Sequence, residues 1–415
     1  MARVDPVLVP RPSYLRLLAS YRDTPDIKVL TGVRRCGKST LLRLVVQDLR
    51  AQGVPEENVY YRRLDQFGTP VDPTASWLLD DVTRAAENAQ AAHPFYVFLD
   101  EVQDVPEWER VVRRLHTRAG TDVYVTGSNA HLLSSDLATY LAGRYVQLEV
   151  FPLSFAEYLA FREAYGFPAV SREEAFADYL RFGGMPGRFE LPSDDYEERL
   201  TKMLQTVCDT VVLNDVLLRT HIGDPGLLAK LVRYVFSTSG NLFSTRKIVQ
   251  TLASTGRKTS TETLDNYLKA LADAYVVGAC EQEGVAGREV LRPLRKFYPV
   301  DSGLRNLMTG FSGADLGFQL EDVVYNELRR RGYGVRVGVL AGGEVDFVAT
   351  RAGERLYVQV SETLLAEETY RRELAPYERI ADSWPKYVLT LDRFRCGTTE
   401  RGERVAYLPD WLLGE

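Results

Sequence analysis

The stretch that most limits how this chain can fold is Gly32-Val33-Arg34-Arg35-Cys36-Gly37-Lys38-Ser39, a G-x-x-x-x-G-K-S loop. It follows the apolar run Ile27-Lys28-Val29-Leu30. It leads into Ser39-Thr40-Leu41-Leu42-Arg43-Leu44-Val45-Val46, whose apolar residues recur at helical spacing. Strand, glycine turn and helix in that order give such a loop its chemistry and imply an α/β fold. Glycines let the backbone curl round an anion with successive N–H groups pointing inward, and a helix N-terminus adds partial positive charge there. Gly32, Arg34, Arg35, Cys36, Gly37, Lys38, Ser39 and Thr40 are therefore expected to line a phosphate site. Lys38 should reach the β- and γ-phosphates of a nucleotide, Ser39 should ligate Mg2+, and Thr40 is close enough to touch the α-phosphate.

A second apolar run, Phe95-Tyr96-Val97-Phe98-Leu99, ends in Asp100-Glu101. Such an acid pair can simply cap a helix. Downstream of a phosphate loop, Asp100 is placed to hold the Mg2+ shell and Glu101 to orient or deprotonate an attacking water. A third strand, Asp122-Val123-Tyr124-Val125-Thr126, runs into Gly127-Ser128-Asn129, where Ser128 and Asn129 are candidates to contact the γ-phosphate or the water. Arg144 precedes a further strand, Val146-Gln147-Leu148-Glu149-Val150. It is a candidate to neutralise charge on the transferring phosphoryl group, from its own chain or, in an oligomer, from a neighbouring copy.

Composition narrows the setting. The 415 residues exceed one typical core, and 45% hydrophobic with 26% charged residues is ordinary globular usage. No run approaches the length of a membrane span, and MARVDPVLVPRPSYL carries no signal-like apolar region, so a cytoplasmic chain is expected. Cys36, Cys208, Cys280 and Cys396 are far apart, which fits neither a disulfide framework nor a zinc site. A net charge of −6 argues against a polyanion-binding surface over the whole chain.

Taken together, TGVRRCGKSTLL, VFLDEVQDVPEWE, TGSNAHLLS and LAGRYVQLEVFPLSFAEYL resemble a prokaryotic AAA-type ATPase family with a conserved C-terminal region. The resemblance continues through YLRFGGMPGRF, KFYPVDSGLRNLM, LEDVVYNELRRRGYGV, GGEVDFV and YVQVS. It implies ATP and Mg2+ as cofactors and ATP hydrolysis as the reaction, in an AAA-type P-loop ATPase core spanning residues 1–152.

Residues 153–225 read as a helical lid and connector, opened by the capping boxes Ser154–Glu157 and Ser171–Glu174. The turn Gly183-Gly184-Met185-Pro186-Gly187 is either a hinge or a plain helix break. Residues 226–310 have a winged-helix outline: helices at 226–238 and 244–252, a third after Thr259-Ser260-Thr261-Glu262, then a hairpin. Arg246, Lys247, Arg257, Lys258, Arg292, Arg295 and Lys296 are candidate contacts to DNA phosphates; such cations also solvate ordinary surfaces.

From 311 to 415 a helix and short strands resemble a restriction-endonuclease-like α/β domain, with Glu321 or Glu327 on the helix and Asp346, Gln359 and Ser361 on the strands at its site positions. The last strand of such a site normally carries a lysine where this chain has Ser361, so a degenerate, inactive domain is expected. The expected activity is an Mg2+-dependent ATPase that moves its C-terminal modules on DNA. The alternatives are a nucleotide-gated switch for a protein partner and an ATP-regulated nuclease.

Overall fold

The computed structural model describes residues 7–128, 143–211, 216–217, 223–254, 256–285, 294–311, 316–341 and 343–415. The chain forms two compact units, Met1–Val150 with Asp273–Tyr275, and Phe151–Ala272 with Val276–Glu415.

In the first unit, α1 (Pro12–Tyr21) precedes β1 (Ile27–Thr31), α2 (Lys38–Ala51), β2 (Val59–Arg63), α3 (Ala75–Glu87), β3 (Phe95–Asp100), α4 (Trp108–His116), β4 (Thr121–Thr126) and β5 (Tyr145–Glu149). The strands form one parallel sheet in the order β2-β3-β4-β1-β5. Every residue of β1 and of β3 is buried, as parallel strands covered on both faces require. Because all five strands point the same way, Gly32, Glu101 and Gly127 leave the sheet at one edge. The carboxyl edge of an open parallel sheet is where such folds bind ligands.

The second unit contains α5 (Phe155–Ala164), α6 (Arg172–Phe182), α7 (Tyr196–Asp209), α8 (Pro225–Ser237), α9 (Thr245–Ser254), α10 (Thr261–Asp273) and the hairpin β6 (Val277–Gly284) and β7 (Arg295–Pro299). There follow α11 (Ser302–Thr309), α12 (Leu316–Arg330), β8 (Gly334–Leu340), β9 (Gly343–Arg351), β10 (Glu354–Ser361), α13 (Glu367–Leu374), β11 (Lys386–Thr390), β12 (Gly397–Thr398), β13 (Arg404–Tyr407) and α14 (Leu408–Leu413). Both expected capping boxes form at α5 and α6. At α10 the cap sits one residue later than expected: Ser260 accepts from the Thr263 N–H at 3.0 Å.

The hairpin expected as a free wing is part of a larger sheet. Eight strands run in the order β12-β13-β11-β10-β9-β8-β6-β7, and β6 pairs with β8 in parallel. A boundary at residue 310 therefore cuts through one continuous hydrogen-bonded sheet. Residues 153–225, expected as a lid, likewise fall in this second unit.

The glycine turn after α6 is neither exposed nor loose. Gly183 and Gly184 are buried, and the Gly184 N–H donates to the Asp301 carboxylate at 2.7 Å. Asp301 also caps α11 through the Leu304 N–H at 3.1 Å. A Cβ on Gly183 would lie 2.1 Å from an Asp301 oxygen, and one on Gly303 would lie 2.2 Å from the Phe182 carbonyl. Asn306 donates to the carbonyls of Leu180 and Arg181, both at 2.9 Å. The YLRFGGMPGRF and KFYPVDSGLRNLM segments thus clamp one another, which replaces the hinge reading with a fixed seam. Asp301→Ala strands the Gly184 and Leu304 donors in the interior. It is expected to lower unfolding stability by about 2–4 kcal/mol, measured by denaturant titration.

Among the described residues no helix is long and apolar enough to cross a membrane. The four cysteines are free, Cys396 being exposed.

Candidate nucleotide-binding site

The loop after β1 is held from behind before any ligand is considered. Gly32 has φ +137°, and a Cβ there would lie 2.2 Å from the Val150 carbonyl oxygen. Gly37 has φ +103° and caps α2, while Arg35 adopts φ +63°. Arg11, itself buried, donates to the Cys36 carbonyl at 3.1 Å and ties the segment before α1 to the loop. Cys36 is buried, and burial pushes its thiol up, so its side chain is packing and only its backbone is left to meet phosphate. Arg34 is half-buried, Arg35 exposed, and Thr40 accepts from Arg43 at 3.3 Å. Gly32→Ala is expected to cost about 2–4 kcal/mol, since the loop must shift to admit a methyl, and to weaken nucleotide binding with it. Thermal melting and a nucleotide titration check both.

Lys38 is buried, and its ammonium donates to the carbonyls of Gly32 at 2.9 Å and Val33 at 3.2 Å. The lysine is folded over the loop it would share with a phosphate. Ser39 Oγ donates to Asp100 Oδ1 at 3.1 Å, which joins the loop to β3. Asp100 is fully buried and accepts twice more, from Tyr61 at 3.0 Å and from Thr126. Desolvation, with the Asp100 charge beside it, pushes the Tyr61 phenol well above its ordinary value and keeps it a donor.

Glu101 turns into the left-handed region at φ 57°, a conformation that non-glycine residues adopt at a cost. Its N–H donates to Thr126 Oγ1 at 3.0 Å, and its Oε2 accepts from Gln103 at 2.6 Å. Thr126 therefore bridges both acids. Thr126, Tyr61, Gln103 and Arg11 are site residues that the sequence reading missed. For Thr126 a signal existed, a polar residue ending a buried strand. Ser128 follows it at the same edge, and its buried hydroxyl has no hydrogen bond among the described residues. Asn129 lies outside the described residues.

Arg144 is not brought to this site. Its carbonyl accepts from the Ile27 N–H at 3.0 Å, and Tyr145 pairs with Ile27. That is the opposite end of β1 from the loop. Arg144 lies level with Asp26, so at about 3.3 Å per residue its backbone is roughly 20 Å from Gly32, and its side chain is exposed.

Residues 24–159 match an AAA domain family, and residues 173–315 match a domain of unknown function. An uncharacterized protein of Haemophilus influenzae is 34% identical over 408 residues, 98% of this chain and 99% of that protein. The chain belongs to this family. Within it, residues 24–159 carry the AAA-type domain, on the parallel sheet of the first unit. A further relative, an uncharacterized protein of Methanocaldococcus jannaschii, is 28% identical over 364 residues, 85% of this chain and 78% of that protein. The Walker-type ATPase PABY2304 of Pyrococcus abyssi shares the fold with a TM-score of 0.51 at 16% identity, over 72% of this chain and 96% of that one.

The second unit of this AAA-type chain redistributes the other candidate residues. Glu321, Asp346 and Gln359 do converge: the Asp346 N–H donates to Gln359 Oε1 at 2.6 Å, and Asp346 accepts from the Val360 N–H at 2.8 Å. Burial, reinforced by the charge of Asp346, pushes Glu321 well up, and burial raises Asp346 to about 6. Ser361 instead donates to the Thr363 carbonyl at 3.0 Å. The cation of this cluster is Lys296, expected on a DNA-facing wing but in fact buried. It lies 2.9 Å from Glu344 and 3.9 Å from Glu321. Burial works against its charge, yet Glu321, Asp346 and Glu344 together push the ammonium above its ordinary value.

Two more of the expected DNA contacts are occupied. Arg257 pairs with Asp224 at 2.6 Å and Arg295 with Glu281 at 3.3 Å. Arg246, Lys247 and Lys258 are exposed, and Arg292 lies outside the described residues.

Proposed function

We propose that this chain binds Mg·ATP at the loop after β1 and hydrolyses it to ADP and phosphate. The observation that supports this most is the continuous network in which Ser39 and Thr126 both donate to Asp100 while Thr126 accepts from the Glu101 backbone N–H, which ties the loop, the metal-type acid and the backbone of the candidate base together. Lys38 leaves the carbonyls of Gly32 and Val33 to grip the β- and γ-phosphates. The hydroxyl and carboxylate donors of Ser39 and Asp100 suit Mg2+, which when bound would neutralise phosphate charge. Glu101 takes the proton of the attacking water, with Gln103 fixing one of its oxygens. Ser128, just beyond the end of β4, reports on the γ-phosphate, a role the sequence also offers to Asn129. Arg144, remote from its own loop, serves the site of a neighbouring copy.

The output reading begins from DNA-linked remodelling. The pairing of Arg257, Arg295 and Lys296 removes three of the seven cations on which that reading rested. This favours the second reading, a nucleotide-gated switch acting on a protein partner. In either reading, Lys296 serves the carboxylates of the second unit as an internal counter-ion in a domain without nuclease activity. ATP turnover measured with and without duplex, single-stranded and branched DNA separates the two readings. The switch predicts slow turnover, unchanged within about twofold by any DNA. Stimulation that falls steeply with salt restores the DNA reading.

A further inference from the structure

We propose that the opening between α8 and α9 is a docking groove for an acidic amphipathic segment of a protein partner, which seats one large apolar side chain in it. The inference needs nothing from the nucleotide chemistry. Leu231 and Tyr234 on α8, Ile248 and Leu252 on α9, and Leu264 on α10 line a cavity of about 190 Å3. An apolar cavity of about 150 Å3 is enough to hold a benzene-sized group, so this one takes a leucine, methionine or phenylalanine side chain. α9 contains no buried residue, although Ile248 and Leu252 face the cavity. A helix of a packed domain ordinarily buries its apolar stripe. Here the stripe and the α8 surface opposite leave contacts between them unmade. The apolar surface continues outward through Tyr234, which lines the cavity and is 45% exposed.

Charge supplies the identity of the occupant. Lys230 and Arg233 on α8, Arg246 and Lys247 on α9, and Lys258 beyond it are exposed, and none has an ion pair among the described residues. Lys230 itself lines the cavity. The neighbouring Arg257 and Arg295 are neutralised by Asp224 and Glu281. Unpaired cations flanking an apolar slot match a segment with carboxylates around an apolar anchor, the helix-in-groove mode of recognition. A nucleic acid fits less well. Its backbone has no apolar group to fill the slot.

The test uses the full-length protein without nucleotide, panned against displayed random peptides of about 16 residues, long enough for four helical turns. The enriched peptides are expected to share one large apolar anchor set among aspartates and glutamates. A synthetic copy of the strongest is then titrated by fluorescence anisotropy against three proteins: the wild type, a Lys230→Glu/Lys247→Glu double variant, and Thr251→Trp. The double variant reverses charge at the rim, and the tryptophan fills the cavity from an exposed position that lines it. Each is expected to weaken binding at least about tenfold, with melting temperature and nucleotide affinity unchanged. The proposal is overturned by an empty selection, by enriched peptides lacking either the anchor or the acids, or by equal affinity for all three proteins. It is equally overturned if a short DNA duplex binds more tightly than the peptide and loses affinity in the same variants, which would make the surface a nucleic-acid face.

Discussion

Glu101→Gln is expected to bind ATP as the wild type does and to turn it over about 10²–10⁴-fold more slowly, the usual contribution of a positioned general base. Glutamine keeps the size of the side chain and one acceptor oxygen, so Gln103 can still donate to it and Thr126 can still hold the backbone N–H. What is lost is an oxygen able to take a proton. The left-handed backbone at residue 101 argues that the position is held against a local cost. That is reasonable for a group whose aim matters more than its comfort. Nucleotide affinity from a fluorescent ATP analogue and phosphate release in the steady state separate binding from chemistry. Asp100 should behave differently. Its carboxylate holds Ser39, Tyr61 and Thr126 together, so Asp100→Ala should depress binding and turnover alike. Unchanged turnover in Glu101→Gln would move the base to another residue.

The nucleotide site was legible because it is local. Gly32, Lys38 and Ser39 are close in sequence, and the buried strands before the loop and before Asp100 announce themselves as unbroken apolar runs. Thr126 was not legible as a site residue. Its role depends on β3 and β4 pairing with Leu99 opposite Val125, which sets the residue after each beside the other. No local pattern states that register. In the sequence, Ser128 and Asn129 stand out instead, because the strand visibly ends there.

The second unit shows the same limit on a larger scale. A three-helix run followed by a hairpin has a winged-helix outline, but the parallel pairing of Gln282 with Val337 makes that hairpin part of the following sheet. Once joined, Lys296 faces Glu321 and Glu344 rather than solvent, and a lysine expected to meet phosphate becomes a buried counter-ion. The nuclease-like positions are degenerate in sequence because Ser361 stands where such a site carries a lysine. The chain does place a lysine among those acids, but on β7, a strand that sequence spacing had assigned elsewhere. Likewise the glycine turn at 183–187 is open in sequence to a hinge or a plain helix break, whereas Asp301, far along the chain, uses the missing Cβ of Gly183 as space for a carboxylate.

Arg144→Ala carries the second large expected effect: a loss of about 10³-fold or more in ATP turnover, the scale set by arginines that stabilise phosphoryl transfer. The geometry makes the test sharper than a single variant. β1 and β5 run parallel from Ile27 and Tyr145, so Arg144 sits at the start of the sheet and the phosphate loop at its end. An arginine cannot span that length to its own nucleotide, so the proposed role requires the site of a neighbouring copy. Two variants, each inactive alone, should therefore rescue one another. Glu101→Gln subunits keep a functional Arg144, and Arg144→Ala subunits keep a functional Glu101. Mixed in equal amounts, they would form interfaces where an intact arginine meets an intact base, and turnover should rise well above the sum of the separate samples at concentrations that support association. If Arg144→Ala turns over ATP like the wild type, the arginine is only a surface residue preceding β5. If it is inactive yet no mixture recovers, the loss comes from within one chain and the trans assignment fails. Concentration dependence closes the argument, because a site completed by a neighbour must lose specific activity on dilution whereas a self-sufficient site keeps it.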